Sequence, residues 1–341
     1  MQSVKIIGVG THLPGPAIDN QKIQEKFSVN AEWVDLVIGN RHRYLVMDLD
    51  TGKVNSSLAD ICALAAFNAL DKAEVDADDI DFVVLGTATP DHLMPATVNL
   101  ICEKLGINGV PTYQLQSGCA GALQALDIAT ALLRTGQHRT GLVLGGDVCA
   151  KYIDIERDFS GLASTELVNY ALFGDGAGAA VLTTEDGSGM EILHTLNRCE
   201  GLNREPGQEL NWLGSCLTSP DAVQPLKEEY KAIEEHVPVM ARDTLAELLG
   251  KVGMDIGEIG YFMTPQLAGI MTEKIIEFME LPLDKTLNCV ADTGNNGNGL
   301  PFLQLNMLQD LIQPGQVALG VAIESSKWIK GGIVLRGVST N

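Results

Sequence analysis

The sequence predicts an α/β protein made of two duplicated halves. Three observations carry that reading. Helical apolar runs alternate with short apolar runs bounded by Gly, Asp and Pro, the pattern of mixed or parallel sheets covered by helices. The pattern then repeats 179 residues later: Asp76 matches Asp255, Ile80 matches Ile259, Leu126 matches Leu305, and Gly136-Gln137 matches Gly315-Gln316. Finally, 45% hydrophobic residues with 36 glycines and 13 prolines fit a well-packed globular chain with many tight connections.

Taken in order, Val4–Gly10 reads as a first strand. A helix over Ala59–Leu70 precedes a strand ending at Val83-Val84-Leu85, and a helix over Ala96–Leu105 follows. Tyr113 and Leu115 lie in an extended stretch, and Leu123, Leu126, Ile128, Ala129, Leu132 and Leu133 have helical spacing. Phe173–Ala179 is a glycine turn that enters a strand, Ala180-Val181-Leu182. A dinucleotide loop would need a helix there. In the second half the expected elements are a helix over Val237–Leu249, a strand over Gly260–Met263 and a helix over Leu267–Met279. The Pro/Gly-rich stretch Cys199–Pro225, with Trp212, reads as an inserted loop over an active-site entrance. The halves are residues 1–185 and 186–341.

Composition narrows the function. No stretch holds the roughly 20 uninterrupted apolar residues of a membrane span, and the first residues run into a strand, so no signal peptide is expected. Seven cysteines, an odd number without CxxC spacing, fit a reducing cytoplasm and argue against zinc. A net charge of −21 opposes nucleic-acid binding and makes recognition of an anionic partner depend on a local basic patch.

Cys119 is the candidate nucleophile. In Ser117-Gly118-Cys119-Ala120-Gly121 a small-residue turn presents a thiol just ahead of a helix. There the macrodipole and free amides favour thiolate, and glycines let an acyl group approach the backbone. That is the arrangement of a covalent acyl-transfer nucleophile; the alternative is a buried structural cysteine. The duplication pairs Cys119 with Asn298, so the loop Asp292–Gly299 is expected to meet the cysteine turn at the centre of the molecule.

These residues resemble the ketoacyl synthase III enzymes of the thiolase superfamily. The resemblance rests on Val4–Gly10 with Thr11-His12-Leu13-Pro14, Trp33 with Gly39-Asn40-Arg41-His42-Arg43-Tyr44, Gly86-Thr87-Ala88-Thr89-Pro90, Gly118-Cys119-Ala120-Gly121, Phe173–Ala179 and Gly294-Asn295, in the family's order. It implies a five-layered α-β-α-β-α fold, a homodimer, acylation of Cys119, and Asn295 as a site amide. It implies acyl groups carried on coenzyme A or an acyl carrier protein, with no bound cofactor or metal. Trp33 matches an adenine-stacking tryptophan, followed by Arg41, although Val37 replaces the usual arginine. Arg157 and Lys151 lie in another entrance segment, where they would meet phosphate. Leu93 and Met94, after His92, fall where the family's dimer loop walls the neighbour's acyl pocket.

One element departs from the pattern. The family's active-site His belongs in a Pro-His-Gln-Ala-Asn segment, but this chain has Thr264-Pro265-Gln266-Leu267-Ala268, with Pro265 at the His position and no His from 237 to 341. Losing a donor that stabilises developing charge typically costs ~3 kcal/mol or more of transition-state stabilisation. Decarboxylative condensation is therefore not the expected chemistry. The sequence points to an acyltransferase that passes an acyl group from Cys119 to a small-molecule or thioester nucleophile, in fatty-acid-like or polyketide biosynthesis. The alternatives are a carbon–carbon-forming synthase with another base, and a non-catalytic subunit of a ketosynthase heterodimer. His194 and Glu324 are the candidate bases; the alternatives are a strand histidine and a structural carboxylate. His12, His42, His138 and His236 read as surface or turn positions.

Overall fold

The computed structural model describes residues 2–153, 155–156, 164–211 and 226–339. Arg157, Trp212 and Cys216 lie outside the described residues. Ten strands form one mixed sheet, in the order Thr286–Leu287, Ile259–Met263, Val317–Glu324, Ile329–Val338, Gly189–Cys199, Lys5–His12, Gly176–Thr183, Thr140–Asp147, Phe82–Thr87, Thr112–Gln116. The order is two sets of five, each the mirror of the other. In each set three parallel strands lie outermost and two antiparallel strands lie inward. The sets join where Lys5 pairs with Glu191 and Ile6 with Met190.

Strand alternation explains the layers. Val83 and Leu85 join one apolar cluster with the helices Leu58–Ala73 and Thr97–Leu105, whereas Phe82 and Val84 face the opposite way. The same split separates Leu319 and Val321, which pack with the helices Tyr230–Val252 and Gly269–Phe278, from Ala318 and Ala322. The inward faces of both sets share one cluster with the two central helices, Gly121–Arg134 and Leu300–Leu311. Helices outside, sheet, helices inside, sheet, helices outside: that is the expected five-layered α/β fold. Strands buried on both faces, such as Val317–Glu324, are apolar almost throughout, as such strands must be.

The 179-residue offset recurs in the backbone. The single-turn 3-10 segments Ala77–Asp79 and Ile256–Glu258 are that far apart, as are the starts of the central helices, Gly121 and Leu300. Gly136 and Gly315 both take left-handed φ, +76° and +85°, where glycine is the residue without a steric cost.

Two expectations need correction. The helix expected over Val237–Leu249 begins at Tyr230 and contains Pro238, and the polar Glu234-Glu235-His236 ahead of that proline hid its first turns from an apolar-period reading. The Cys199–Pro225 stretch is not all loop, because Gln208–Leu210 pairs antiparallel with Leu226–Glu228 as a short ribbon. The Trp328 indole N–H donates to Glu205 O at 2.8 Å and the Gly207 N–H donates to Ser325 O at 2.9 Å, which tie the ribbon to the turn before the last strand.

Candidate active site

The chain leaves the strand Thr112–Gln116, crosses Ser117-Gly118-Cys119-Ala120 and enters the central helix at Gly121. Ser117 N–H donates to Thr87 O at 3.1 Å and Gly121 N–H to Gly118 O at 2.8 Å, fixing the turn at the ends of two strands. No side chain caps this helix. Cys119 is partly exposed and lines two cavities. The narrower runs between Met263–Leu267 and Leu300, Pro301 and Gln304. The wider, about 290 Å³, leads to Trp33 and is lined also by Glu228, Tyr230, Leu267 and Asn295.

The repeat-related loop braces the turn from below. Asn298, fully buried, donates through Nδ2 to Ser117 O at 3.0 Å and to Asp147 Oδ2 at 2.9 Å, while its backbone N–H reaches the same Oδ2 at 2.8 Å. Asp147 Oδ1 accepts from Thr87 Oγ1, Ala88 N and Thr89 Oγ1 at 2.8–3.1 Å. Burial pushes the Asp147 carboxyl up and these donors hold it back. Asn298 Oδ1 would lie 2.5 Å from any Cβ at position 121, so the close approach requires Gly121.

Glu324 packs over the turn on the other side, its Cδ 3.2 Å from where a Cβ on Gly118 would stand. Ser117 Oγ donates to Glu324 Oε2 at 2.7 Å and Ser326 Oγ donates to Oε1. Both oxygens are thus engaged, and Glu324 lines neither cavity beside Cys119.

The electrostatics reverse one expectation. Burial, then the carboxylates of Glu324, Asp147 and Glu228, push the Cys119 thiol up to about 12, with its own backbone amide working the other way. A helix terminus offers about half a charge; three nearby carboxylates and desolvation outweigh it. The resting nucleophile is a thiol, and its attack on an acyl donor requires a base.

Asn295, 3% exposed, lines the wide cavity with Cys119. One Nδ2 hydrogen goes to Leu267 O at 3.0 Å and Oδ1 accepts from Gly297 N at 3.1 Å, leaving the second amide hydrogen for a ligand. Pro265 lines the narrow cavity with Cys119, and no histidine lines either cavity. His194 lies in the strand Gly189–Cys199 opposite Val334, with Lys251, Arg134, Asp127 and Glu247 as its charged neighbours, and burial lowers its pKa; it lines neither cavity beside Cys119. Arg41 forms a two-pronged pair with Asp292 at 2.6 and 2.7 Å and lines neither cavity. Lys151 is spent on Thr89 O, Pro90 O and Asp91 at 2.6–3.2 Å, so it is not the free phosphate ligand expected of it. Leu93 and Met94 are 76% and 86% exposed. Trp33 stands at the wide cavity, in a short helix capped by Asn30, with Val37 beside it.

Glu228, Tyr230 and Gln208 line the same cavity and were not singled out by the sequence. They sit in and just after strands of three residues, too short for a period-two signal.

Comparison with known proteins places this geometry. Residues 113–201 match the profile of 3-oxoacyl-[acyl-carrier-protein (ACP)] synthase III. A beta-ketoacyl-[acyl-carrier-protein] synthase III of Neisseria meningitidis serogroup B is 30% identical over 326 residues, covering 94% of this chain and 93% of that one. A solved structure of AbyA1, described as a tetronic acid condensing enzyme, is 47% identical with a TM-score of 0.94, covering 98% of this chain and 100% of that one. The 3-oxoacyl-[acyl-carrier-protein] synthase III of Aquifex aeolicus VF5, 24% identical, shares the fold with a TM-score of 0.82 over 98% of this chain and 99% of that one. Among the described residues no helix is long and apolar enough to cross a membrane. The chain belongs to the beta-ketoacyl-ACP synthase III family and is an acyl-transferring condensing enzyme of that type.

Proposed function

We propose that Cys119 takes an acyl group from a coenzyme A or acyl-carrier-protein thioester and passes it to an acceptor that needs no decarboxylation, such as a β-keto thioester or a hydroxyl. The observation that carries this is Pro265 beside Cys119, in cavities lined by amides and carboxylates but no imidazole. An imidazole and an amide together would hold the enolate left by loss of CO2. A carbon already flanked by two carbonyls forms its enolate by proton removal alone. The 47% identity to a tetronic acid condensing enzyme supports the same reading. A tetronic acid is a five-membered lactone of a β-keto acid, whose ring holds both a carbon–carbon and an ester bond. We place the enzyme accordingly in polyketide-type biosynthesis in the cytoplasm, where the free thiols of the described cysteines fit. Residues 1–185 carry the nucleophile and residues 186–341 the Asn295 loop. With radiolabelled malonyl-ACP and an acyl-CoA that loads Cys119, CO2 release should stay near background. Steady turnover coupled to condensation would overturn the reading.

The exposed Leu93-Met94 pair supports a homodimer in which each copy covers the other's pair and lends a wall to its acyl cavity. Light scattering should give twice the 36.4 kDa chain mass; a stable monomer would remove the proposal.

A further inference from the structure

Resting on that reading, the transfer step still lacks a base, because the acceptor's proton must leave as its carbon or oxygen attacks the thioester. Among the described residues the wide cavity offers two carboxylates, Glu228 and Glu234, and no Lys, Arg or His. Glu234 is exposed, whereas the Glu228 carboxylate is enclosed. Glu228 pairs across the ribbon with Gln208, whose Nε2 donates to Glu228 Oε1 at 2.6 Å. The Tyr230 hydroxyl stands beside it and donates to Asn169 Oδ1 at 2.5 Å. Glu228 Oε2 is buried and accepts no hydrogen bond among the described residues, the single Tyr230 hydroxyl proton going to Asn169, although that hydroxyl lies near enough to the carboxylate to favour its charged form. Glu324, by contrast, has a hydroxyl on each oxygen and lies outside the cavity.

We propose that Glu228 is the general base of acyl transfer: its free oxygen takes the proton from the acceptor as the acceptor attacks the acyl-Cys119 thioester. The new bond forms at the acyl carbon, the carbon–sulfur bond breaks, and Cys119 leaves as thiolate. Protonated Glu228 then returns the proton to Sγ, restoring thiol and carboxylate. Two further observations agree. Burial raises the Glu228 carboxyl above its ordinary value, toward the range that suits a base at neutral pH. The charge of Glu228 reaches both Cys119 and Cys149, raising their thiols, so the carboxylate and the nucleophile share one field.

The test uses the full chain and the variants Glu228→Gln and Glu228→Asp. Acetyl-, butyryl- and octanoyl-CoA load Cys119, read by intact mass, and acetoacetyl-CoA is the acceptor that discharges it. Loading should still go to completion in Glu228→Gln, more slowly, because the Cys119 proton ends on the departing CoA thiolate, while discharge slows by about 10²–10⁴-fold, the usual worth of a general base, with Glu228→Asp restoring part of the rate. Discharge at the wild-type rate in Glu228→Gln overturns the proposal. Alkylation of Cys119 by iodoacetamide gives a readout independent of any acyl substrate. Removing the Glu228 charge should lower the thiol pKa and speed alkylation at every pH from about 7 to 10; an unchanged profile also overturns the proposal. Failure of the wild type to load any donor would instead strike the acyl-transfer reading, while the alkylation profile still decides whether Glu228 faces the thiol.

Discussion

Cys119 and Asn298 hold the same position in the two halves, each two residues ahead of a central helix and 179 residues apart. They are put to opposite uses. Cys119 opens into both cavities, whereas Asn298 is fully buried and spends its amide and backbone N–H on Asp147 and Ser117. Duplication made two equivalent helix starts at the molecular centre. One is open to substrate and the other is bound into the protein, holding its partner in place. Asp147 is the joint between them, since its two oxygens take donors from Thr87–Thr89 of one half and Asn298 of the other.

That contrast separates two asparagines of one loop. Asn298→Ala should have the largest effect on stability, roughly 2–4 kcal/mol in urea unfolding, because it strips a buried carboxylate and the Ser117 carbonyl of a donor. Activity should fall with it as the turn loosens. Asn295→Ala should cost only about 1 kcal/mol of stability, for its two ordinary hydrogen bonds. It should slow acyl transfer by about 10²-fold, because its free amide hydrogen matters most when charge develops on the acyl oxygen. Equal losses of rate and stability in both variants would erase the distinction between bracing and catalysis.

The same contrast shows what a sequence discloses. The Cys119 turn was legible because its signal is local: small residues, then apolar spacing. Helix-covered sheets followed from alternation and the two halves from an offset kept between Asp76 and Gln137, whereas the five layers were implied by the family resemblance. Charge partners were not legible. Arg41 reads as a free cation at the ligand entrance until folding brings Asp292 to it, and Lys151 as a phosphate ligand until the carbonyls of Thr89 and Pro90 take its ammonium. The thiol was expected to ionise at a helix start, but burial first, and then Glu324, Asp147 and Glu228 converging from three distant segments, set the opposite sign. Glu228 itself depends on a ribbon of two three-residue strands pinned by Trp328, which no periodicity announces.

The central claim is that Cys119 carries the acyl group. Intact-mass measurement after mixing the protein with a panel of acyl-CoA and acyl-carrier-protein thioesters reads it directly. At least one donor should add the mass of its acyl group. Cys119→Ala should gain nothing while unfolding at the wild-type temperature. No adduct with any donor, or an adduct that persists in Cys119→Ala, would contradict the account.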